Sequence, residues 1–303
     1  MRVSIVVPVF NAEQFILDTL KSLAAQTYGD CEFIIVDDGS QDSSAQLIDS
    51  YLNEVEAMNP ELRRRFQFIR QPNGGQSAAL NRGWSIAQGE FLGYLSADDR
   101  LHPSALADLM DEFNKTEDVV VRYPDYELID ENGQPFRSVH APEYSQFDLF
   151  VNGVCAPGPG AIFHRKVWAS SGGWSTQYRQ VPDWHFWMLA AEQGAFKRLP
   201  KVLAQFRVHE ASASFRAPSF ERAEEPVLAL AEILRRPSAP LKIEEPVFNL
   251  AKAQAHVLSA RLHLRARRWL IAFQHLQKAT FLAPRIWLGS LAWRRLINGF
   301  LRR

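Results

Sequence analysis

The stretch that decides the fold is the apolar run VSIVVPV at residues 3–9, followed directly by FNAE at residues 10–13. A short run rich in β-branched residues is typical of a strand buried on both faces of a parallel sheet. Three more apolar runs follow at residues 33–36, 66–70 and 91–95, and helical patterns separate them. This alternation of strands and helices predicts an α/β fold with a mostly parallel sheet that is flanked by helices.

Apolar residues recur at helical spacing between these strands and after them. Gly89 ends one of the helical patterns, and Pro103 is predicted in the first turn of another, where a missing N–H is tolerated. The predicted elements are helices at 15–23, 43–58, 76–88 and 103–114, a strand at 119–121, and a hairpin turn at 130–133 between two short strands.

The last part of the chain has a different pattern. From about Phe220 it is helical throughout, with helices predicted at 249–282 and 284–301. Prolines interrupt the segment before them, at Pro218, Pro226, Pro237, Pro240 and Pro246. We therefore predict two domains: residues 1–217 form the α/β domain, and residues 218–303 form a helical C-terminal extension.

Charge is balanced over the whole chain, with 34 basic and 34 acidic residues, so it indicates no nucleic-acid partner. Residues 261–303, however, contain ten Lys or Arg and no Asp or Glu. Two interpretations of this basic tail stay open: a basic amphipathic helix that lies on an anionic membrane surface, or an ordinary helical appendage packed on the first domain. In the last predicted helix one apolar face contains Ile286, Gly289, Trp293, Leu296, Ile297 and Phe300, with Arg294, Arg295 and Arg302 elsewhere.

Cysteine content and hydropathy indicate the compartment. The chain has two cysteines, Cys31 and Cys155, and no CxxC pair, which is typical of free thiols in a reducing cytosol. The N-terminal apolar run is too short for a signal peptide, and no stretch of about 18 uninterrupted apolar residues predicts a membrane-spanning helix. We expect a cytoplasmic protein whose tail is the candidate contact with the inner face of the membrane.

Each of the first four strands ends in a polar cluster: PVFN at residues 8–11, DDGS at 37–40, QPNGG at 71–75 and SADD at 96–99. The carboxyl ends of parallel strands meet at one edge of a sheet, where ligands bind in this fold class. Any one acidic pair could cap a helix or close a turn. Four clusters at the same edge predict a ligand site.

The first of these loops also excludes one kind of site. Residues 9–13, VFNAE, lack the GxGxxG pattern with which a dinucleotide-binding domain holds a pyrophosphate. The charge of a bound diphosphate would have to be met in another way. Asp98 and Asp99 follow a buried strand, and their carboxylates suit Mg²⁺ or Mn²⁺, which share oxygen ligands with phosphates.

Six elements in register, together covering about residues 1–215, resemble family-2 glycosyltransferases of the GT-A fold. They are VVPVFNAE at 6–13, IVDDGS at 35–40, NGGQSAALNRG at 73–83, YLSADD at 94–99, GGW at 172–174 before PDWHFW at 182–187, and RVHEASAS at 207–214.

The resemblance implies a metal-dependent inverting hexosyltransferase. Such an enzyme moves a sugar from a nucleotide-diphospho-sugar, a UDP-sugar above all, to a glycan or lipid-linked acceptor in cell-surface polysaccharide or glycolipid synthesis. By position, Pro8, Asn11 and Glu13 would border the nucleoside, Asp37 and Asp38 would read base and ribose, and Asn73, Asn81, Ser96 and Asp99 would complete the donor site. Asp98 would bind Mn²⁺ or Mg²⁺, His209 would face the metal or the diphosphate, and Asp183 would be the catalytic base.

This sequence departs from the family pattern at three positions. Ser96 stands where many members have Asp or Asn, Pro182 where a Glu commonly precedes the base, and His185 where a second acid is common. Asp183 could also be an acid that caps a helix, and His209 a hydrogen-bonded histidine without a ligand. The aromatic residues at 184, 186 and 187 are predicted in the core, or one of them against an acceptor sugar.

Two other function classes stay open on the sequence. The first is a nucleotide-sugar or glycan binding module without catalysis, against which the retention of Asp98, Asp99 and Asp183 argues. The second is a nucleotidyltransferase on a similar sheet, against which residues 8–14 argue because they lack a glycine-rich and basic phosphate loop.

Overall fold

A computed structural model describes residues 1–116, 118–210, 217–236 and 244–301, with side chains up to residue 297. Among these residues nine strands form one sheet. The strands are β1 Val3–Val9, β2 Cys31–Asp37, β3 Phe66–Arg70, β4 Phe91–Tyr94, β5 Arg100–Leu101, β6 Val119–Ile129, β7 Pro135–Val139, β8 Ile162–His164 and β9 Ala195–Arg207.

The helices lie between and after these strands. They are α1 Ile16–Ala24, α2 Ser44–Met58, α3 Pro60–Arg63, α4 Gln76–Ile86, α5 Ala105–Phe113, α6 Gln146–Phe150, α7 Arg165–Ser171, α8 Pro182–Ala190, α9 Phe220–Leu234, α10 Glu245–Arg265, α11 Trp269–Leu282 and α12 Ser290–Leu301. A 3₁₀ helix, Pro284–Leu288, separates α11 from α12.

The strand order across the sheet is β3-β2-β1-β4-β8-β6-β9-β5, and β7 pairs with β6. Strands β1 to β4 are mutually parallel, as are β6 and β9, whereas β8 is antiparallel to both of its neighbours. The predicted α/β fold, with a mostly parallel sheet in the first half and helices at the C-terminus, is confirmed. Because β1, β2, β3 and β4 run in one direction, the loops that follow them lie at one edge of the sheet.

The core of the sheet explains why the first strands are so apolar. All seven residues of β2 are buried, and so are six of the seven residues of β1. Helix α4 packs directly on β1, since a Cβ at Gly83 would lie 2.4 Å from Val6 Cγ1. This close approach fixes α4, and with it the loop that leads into it from β3.

The chain divides into two compact units. The first unit comprises residues 1–143, 156–174 and 193–209, and the second comprises 144–155, 175–192 and the described residues from 210 onward. The sheet and its apolar core belong to the first unit, and helices α6 and α8 to α12 belong to the second. The predicted division into 1–217 and 218–303 stays a prediction.

A buried polar cluster joins α9, α10 and α11 within the second unit. Arg268 Nε donates to His263 Nδ1 (2.8 Å), which leaves the ring proton on Nε2, and Nε2 lies 2.7 Å from Glu224 Oε1. His275 Nε2 lies 2.9 Å from the same carboxylate oxygen, and its Nδ1 lies 2.9 Å from His256 Nδ1. Neutral imidazoles satisfy all these contacts as a hydrogen-bond network. Accordingly, burial lowers the pKa of His256 to about 4.

The prediction of one helix over residues 249–282 is wrong, because the chain breaks between α10 and α11. Arg267 adopts a left-handed backbone (φ 58°), and the backbone N–H of Arg268 turns back to the carbonyl of His263. Neither Gly nor Pro marks the break, so the sequence pattern does not reveal it. The fourth predicted helix also begins at Ala105 rather than Pro103.

Two further expectations are refined by the structure. The turn at 130–133 is a hairpin turn as predicted, but its first strand, β6, is eleven residues long. Arg295, expected on the polar face of the last helix, is buried and donates to Gln254 Oε1 and to the carbonyls of Asn152 and Gly153. The side chain of Phe300, and Arg302 as a whole, lie outside the described residues.

Across the described ranges, no helix is long and apolar enough to cross a membrane.

Candidate active site

The loops after β1 and β2 are tied to each other by hydrogen bonds. The backbone N–H of Asn11 donates to Ser40 Oγ (3.0 Å), and that of Glu13 donates to Asp42 Oδ2 (3.0 Å). The side chains of Asn11 and Glu13 in turn accept backbone N–H groups of the second loop, at 2.8 and 2.9 Å. Pro8 lies just before them, within β1. These predicted nucleoside residues therefore lie at the expected edge, with the side chains of Asn11 and Glu13 engaged in fixing the loops.

Asp37 is the last residue of β2 and Asp38 follows it, and both are buried. Asp37 Oδ2 pairs with Arg70 Nε (3.0 Å), and Asp37 Oδ1 accepts the N–H of Ser40. Asp38 accepts from Gln71 Nε2 (2.7 Å) and from the backbone N–H groups of Gly74 (2.9 Å) and Gly75 (2.7 Å). One carboxylate thus shapes the whole turn between β3 and α4.

Asn73 and Asn81, which were predicted together, lie in different surroundings. Asn73 is exposed in the turn that Asp38 holds. Asn81 lies on α4, where its amide forms two hydrogen bonds with the backbone of Trp174, donating to the carbonyl (2.7 Å) and accepting from the N–H (2.9 Å). The structure gives Asn81 the role of anchoring the segment at residue 174 to α4.

Asp98, Asp99 and His209 meet after β4. Asp98 Oδ2 lies 3.0 Å from His209 Nε2, and the two side chains are 28% and 10% exposed. Asp99 is buried and accepts the backbone N–H of Arg207 at 2.9 Å. Burial and the neighbouring Asp98 carboxylate raise the pKa of Asp99 well above its usual range. Ser96 is half-buried, and its carbonyl accepts the N–H of Asp99.

The pair of Asp98 and His209 fits a divalent cation that also binds phosphate oxygens. Mg²⁺ in particular is usually held by one or two carboxylates and completes its coordination with water and substrate phosphates. Asp98 is partly open to solvent, whereas Asp99 is enclosed and bonded to the backbone, so Asp98 is the carboxylate available to a cation. The ring of His209 packs against the ring of Phe15, and their centroids are 4.6 Å apart.

The loop that contains Asp98 and Asp99 is fixed by two buried residues that the sequence analysis did not assign. Thr19 Oγ1 lies 2.9 Å from the carbonyl of Ala97 and 2.8 Å from that of Asp99. The guanidinium of Arg207 donates to the carbonyl of Asp98 (2.8 Å). A buried arginine needs several partners, but its burial becomes known only from the fold, and the sequence pattern does not mark Arg207 for this role.

Asp183 lies in the second unit, in the first turn of α8. Pro182 occupies the first helical position, so the helix begins where the sequence places the candidate base. Burial raises the pKa of Asp183, against hydrogen bonds from its own N–H and that of Trp184, which lower it. A carboxylate with raised proton affinity is suited to take up a proton from a hydroxyl.

The aromatic residues next to Asp183 were predicted in the core, or one of them against an acceptor sugar. Trp184, Phe186 and Trp187 are all buried, as predicted for core residues. His185 Nε2 lies 3.1 Å from Glu232 Oε1, and His185 is buried too.

The last part of the predicted RVHEASAS element, residues 211–214, lies outside the described residues.

The sequence model of the family described as Glycosyl transferase family 2 matches residues 4–170, more than half of the chain. The chain belongs to glycosyl transferase family 2. The match includes the four strand-end loops with Asp37, Asp38, Asp98 and Asp99, and it ends before Asp183 and His209.

Curated relatives in this family include synthases of polysaccharides. The chain is 28% identical over 71% of its length to the chondroitin synthase of Escherichia coli, and covers 30% of that protein. It is 28% identical over 66% of its length to the hyaluronan synthase of Pasteurella multocida, and covers 20% of it. An uncharacterized glycosyltransferase of Nostoc sp. is 29% identical over 72% of this chain and 68% of its own length. The chain thus spans less than a third of the synthases it matches.

Solved structures show the same fold. Residues 1–349 of S. aureus TarS, in complex with UDP-GlcNAc, align with a TM-score of 0.67 and 19% identity over 99% of this chain and 89% of that one. The mannosyltransferase PcManGT of Pyrobaculum calidifontis, in complex with GDP-Man and Mn²⁺, aligns with a TM-score of 0.62 and 22% identity over 99% of this chain and 79% of that one. At these identities the likeness establishes the GT-A-type fold of this family 2 member.

Proposed function

We propose that this protein transfers a sugar from a nucleotide-diphospho-sugar, a UDP-sugar above all, to an acceptor hydroxyl with inversion at the anomeric carbon. The observation that carries the proposal is the Asp98–His209 pair, 3.0 Å apart, at the edge of the sheet where the first four strands end, in a member of glycosyl transferase family 2. The complex of TarS with UDP-GlcNAc supports the choice of a UDP-sugar.

Asp98 and His209 are the proposed holders of Mn²⁺ or Mg²⁺. When bound there, the metal would neutralise the charge that builds up on the departing diphosphate. The complex of PcManGT with GDP-Man and Mn²⁺ supports this choice of ion. The loops at 8–13, 37–40 and 71–75 would border the nucleoside, and Asn73 lies in the last of them. Ser96 and Asp99, which follow β4, would complete the donor site. Asn81 stays a proposed donor-site residue, and its amide is also hydrogen-bonded to the backbone of Trp174.

Asp183 is the proposed catalytic base. It would deprotonate the acceptor hydroxyl as that oxygen attacks the anomeric carbon, so a single displacement inverts the configuration without a covalent intermediate. The raised pKa of Asp183 favours this role, because a carboxylate that binds a proton more tightly is a stronger base. One carboxylate is enough for this mechanism, so His185 in place of a second acid does not prevent it.

The experiment that tests the proposal measures diphosphate release from UDP-, GDP- and dTDP-sugars with Mn²⁺, and the anomeric configuration of the product by NMR. Asp183→Asn should lower turnover by roughly a hundredfold, the usual scale for loss of a general base, with donor affinity unchanged. Asp111→Asn, an exposed carboxylate on α5, is the matched control. Retention of configuration, or full turnover by Asp183→Asn, would contradict the mechanism. Donor binding without any turnover in the wild type would instead favour the binding-module alternative.

We further propose that the acceptor is a glycan or lipid-linked glycan of the cell surface, and that the basic tail holds the enzyme at the inner face of the membrane. The kinship with chondroitin and hyaluronan synthases supports a polysaccharide acceptor. Helix α11 supports the membrane contact, because its buried residues are two alanines and a histidine while several of its large apolar side chains are exposed. Ala272, His275 and Ala279 are buried, whereas Leu270 and Phe273 are 70% and 57% exposed.

Further large apolar side chains are at least half exposed, Phe281 near the end of α11 and Leu288, Trp293 and Ile297 after it. The exposed basic side chains among the described residues of the tail are Arg267, Lys278, Arg285 and Arg294. Each is worth about 1 kcal/mol near an anionic surface, so together they contribute roughly 4 kcal/mol, and insertion of apolar side chains adds to this.

Co-sedimentation with phosphatidylserine-containing vesicles tests the membrane contact. Changing the four exposed tail residues to Gln should abolish pelleting, and Leu270→Gln with Phe273→Gln should weaken it. Salt should weaken the binding of the wild type, because exposed charges are screened beyond about 10 Å at 0.1 M. Equal pelleting of all variants, or no pelleting of the wild type, would favour the packed-appendage interpretation. The matched control changes four exposed basic residues of the first unit, Arg64, Lys115, Lys197 and Lys201.

A further inference from the structure

Glu225 makes an unusual set of contacts for a buried carboxylate. It is 5% exposed on α9, and its two oxygens accept the backbone N–H groups of three consecutive residues, Arg179, Gln180 and Val181. The distances are 2.9 Å from each oxygen to Arg179 N and 3.2 Å to Val181 N. Consecutive N–H groups that converge on one anion form a strong, charge-assisted site.

This site lies directly before the helix that contains the candidate base. Val181 is the residue before α8, Pro182 is its first residue, and Asp183 follows. Pro182 has no N–H, so the hydrogen bonds to Glu225 end at the last backbone donor before Asp183. An aspartate has a short side chain, and the backbone therefore sets most of the position of its carboxylate.

A second glutamate on α9, Glu232, contacts the residues that flank this segment. Glu232 is seven residues, or about two helical turns, after Glu225, which places both on one face of α9. Glu232 accepts the hydroxyl of Tyr178 (2.6 Å) and contacts His185 Nε2 (3.1 Å). The two glutamates thus hold the backbone before Asp183 and a ring after it, and all these residues belong to the second unit.

We infer that Glu225, supported by Glu232, is a positioning residue for the transfer reaction: it sets the backbone from which Asp183 projects. The inference rests on the proposed role of Asp183 as the base. It gives the C-terminal helices a part in catalysis that is separate from membrane contact. A misplacement of a reacting group by about 1 Å can cost a hundredfold in rate, so loosening this segment should lower turnover without touching the donor loops.

The first measurement is hydrogen–deuterium exchange of the peptide covering residues 179–185 in Glu225→Gln. In the wild type, one oxygen of Glu225 accepts all three N–H groups and the other accepts only that of Arg179. The amide side chain keeps the shape but is uncharged, and its NH₂ group replaces one of the two acceptor oxygens, so these hydrogen bonds weaken and exchange of this peptide should rise at least tenfold. Glu221→Gln, an exposed glutamate on the same helix, is the matched control and should change nothing. Unchanged exchange in Glu225→Gln would overturn the inference.

The second measurement is turnover with whichever of the UDP-, GDP- and dTDP-sugars gives the fastest diphosphate release. The affinity for UDP in the presence of Mn²⁺ is measured alongside it. We expect kcat of Glu225→Gln to fall ten- to a hundredfold while the Kd for UDP stays within twofold, a split that general destabilisation would not give. Glu225→Asp keeps the charge and should lose less, which keeps the test available if the Gln variant folds poorly. If Asp183→Asn is inactive but Glu225→Gln and Glu225→Asp turn over like the wild type, the inference alone is overturned. If Asp183→Asn is fully active, the base assignment and the inference both fail.

Discussion

Replacing Arg207 by methionine is the sharpest test of how the fold holds the candidate metal site. The side chain of Arg207 is 1% exposed. Its guanidinium donates to the carbonyls of Asp98 (2.8 Å), Asp130 (3.2 Å) and Glu131 (2.9 Å), and to Asp18 Oδ2 (2.9 Å). Methionine keeps most of the volume but removes every one of these donors.

The cost of this change can be worked out from the contacts. Asp18 is 39% exposed and keeps Arg100 as a partner, and the carbonyl of Asp130 still accepts the N–H of Gly133, so losing Arg207 costs little at these two residues. The carbonyls of Asp98 and Glu131 lose the donors of Arg207, at about 1–3 kcal/mol each. We expect a loss of roughly 2–6 kcal/mol, a substantial part of the 5–15 kcal/mol that is typical of a folded domain.

The assay combines chemical denaturation with calorimetry of UDP and Mn²⁺. Arg207→Met should lose metal-dependent UDP binding under conditions in which it is still folded, because the carbonyl of Asp98 is no longer held. Arg198→Met is the matched control: Arg198 lies on the same strand and binds Asp125 through two donors, at 2.6 and 2.7 Å, but does not contact the Asp98 loop. Wild-type metal-dependent affinity in Arg207→Met would refute the reasoning.

Two further predictions follow from the same structure. Asp98→Asn should remove metal-dependent UDP binding with little loss of stability, because Asp98 is partly exposed; equal UDP affinity with and without EDTA in the wild type would contradict a metal role. Because burial lowers the pKa of His256 to about 4, the unfolded chain binds a proton below pH 6.5 that the folded chain does not, so stability should fall between pH 6.5 and 4. The loss attributable to His256 is roughly 3 kcal/mol. A His256→Gln variant should therefore show a shallower decline in urea midpoint over this range, whereas an identical decline would be the opposing result.

The strand that is easiest to predict from the sequence is the one buried on both faces. The run at 3–9 matches β1 residue for residue, since a continuous apolar stretch of this length has few alternatives. The run at 66–70 also matches the edge strand β3 residue for residue, although only Phe66 of its five residues is buried. Strand β9 could not be predicted in the same way. It contains two lysines and Pro200, and its pairing with β6 shifts register more than once, so it has no regular alternation.

The site could be predicted in location but not in detail. The order of strands and loops places Asp37, Asp38, Asp98 and Asp99 at one edge of the sheet, and the structure confirms that edge. The pattern does not tell which carboxylate is open to a ligand and which is bonded to the backbone, because that depends on contacts over more than 100 residues, such as Arg207 with Asp99. The same holds for Glu225, whose partners lie 44 to 46 residues away.

The hydrogen bonding of the strand-end loops has a consequence for how a nucleoside would be read. A carboxylate offers about four lone-pair positions, and Asp38 already accepts three donors. Asp37 is likewise engaged by Arg70 and Ser40, and the side chains of Asn11 and Glu13 by backbone N–H groups. Asp38 therefore has little hydrogen-bonding capacity left for a base or ribose, whereas Asn11 and Glu13 are exposed and accept one backbone N–H each, so they keep more. We expect a nucleoside bound at this edge to be read by these exposed side chains and by the backbone of the turn at Gly74 and Gly75, whose shape Asp38 fixes from its buried position.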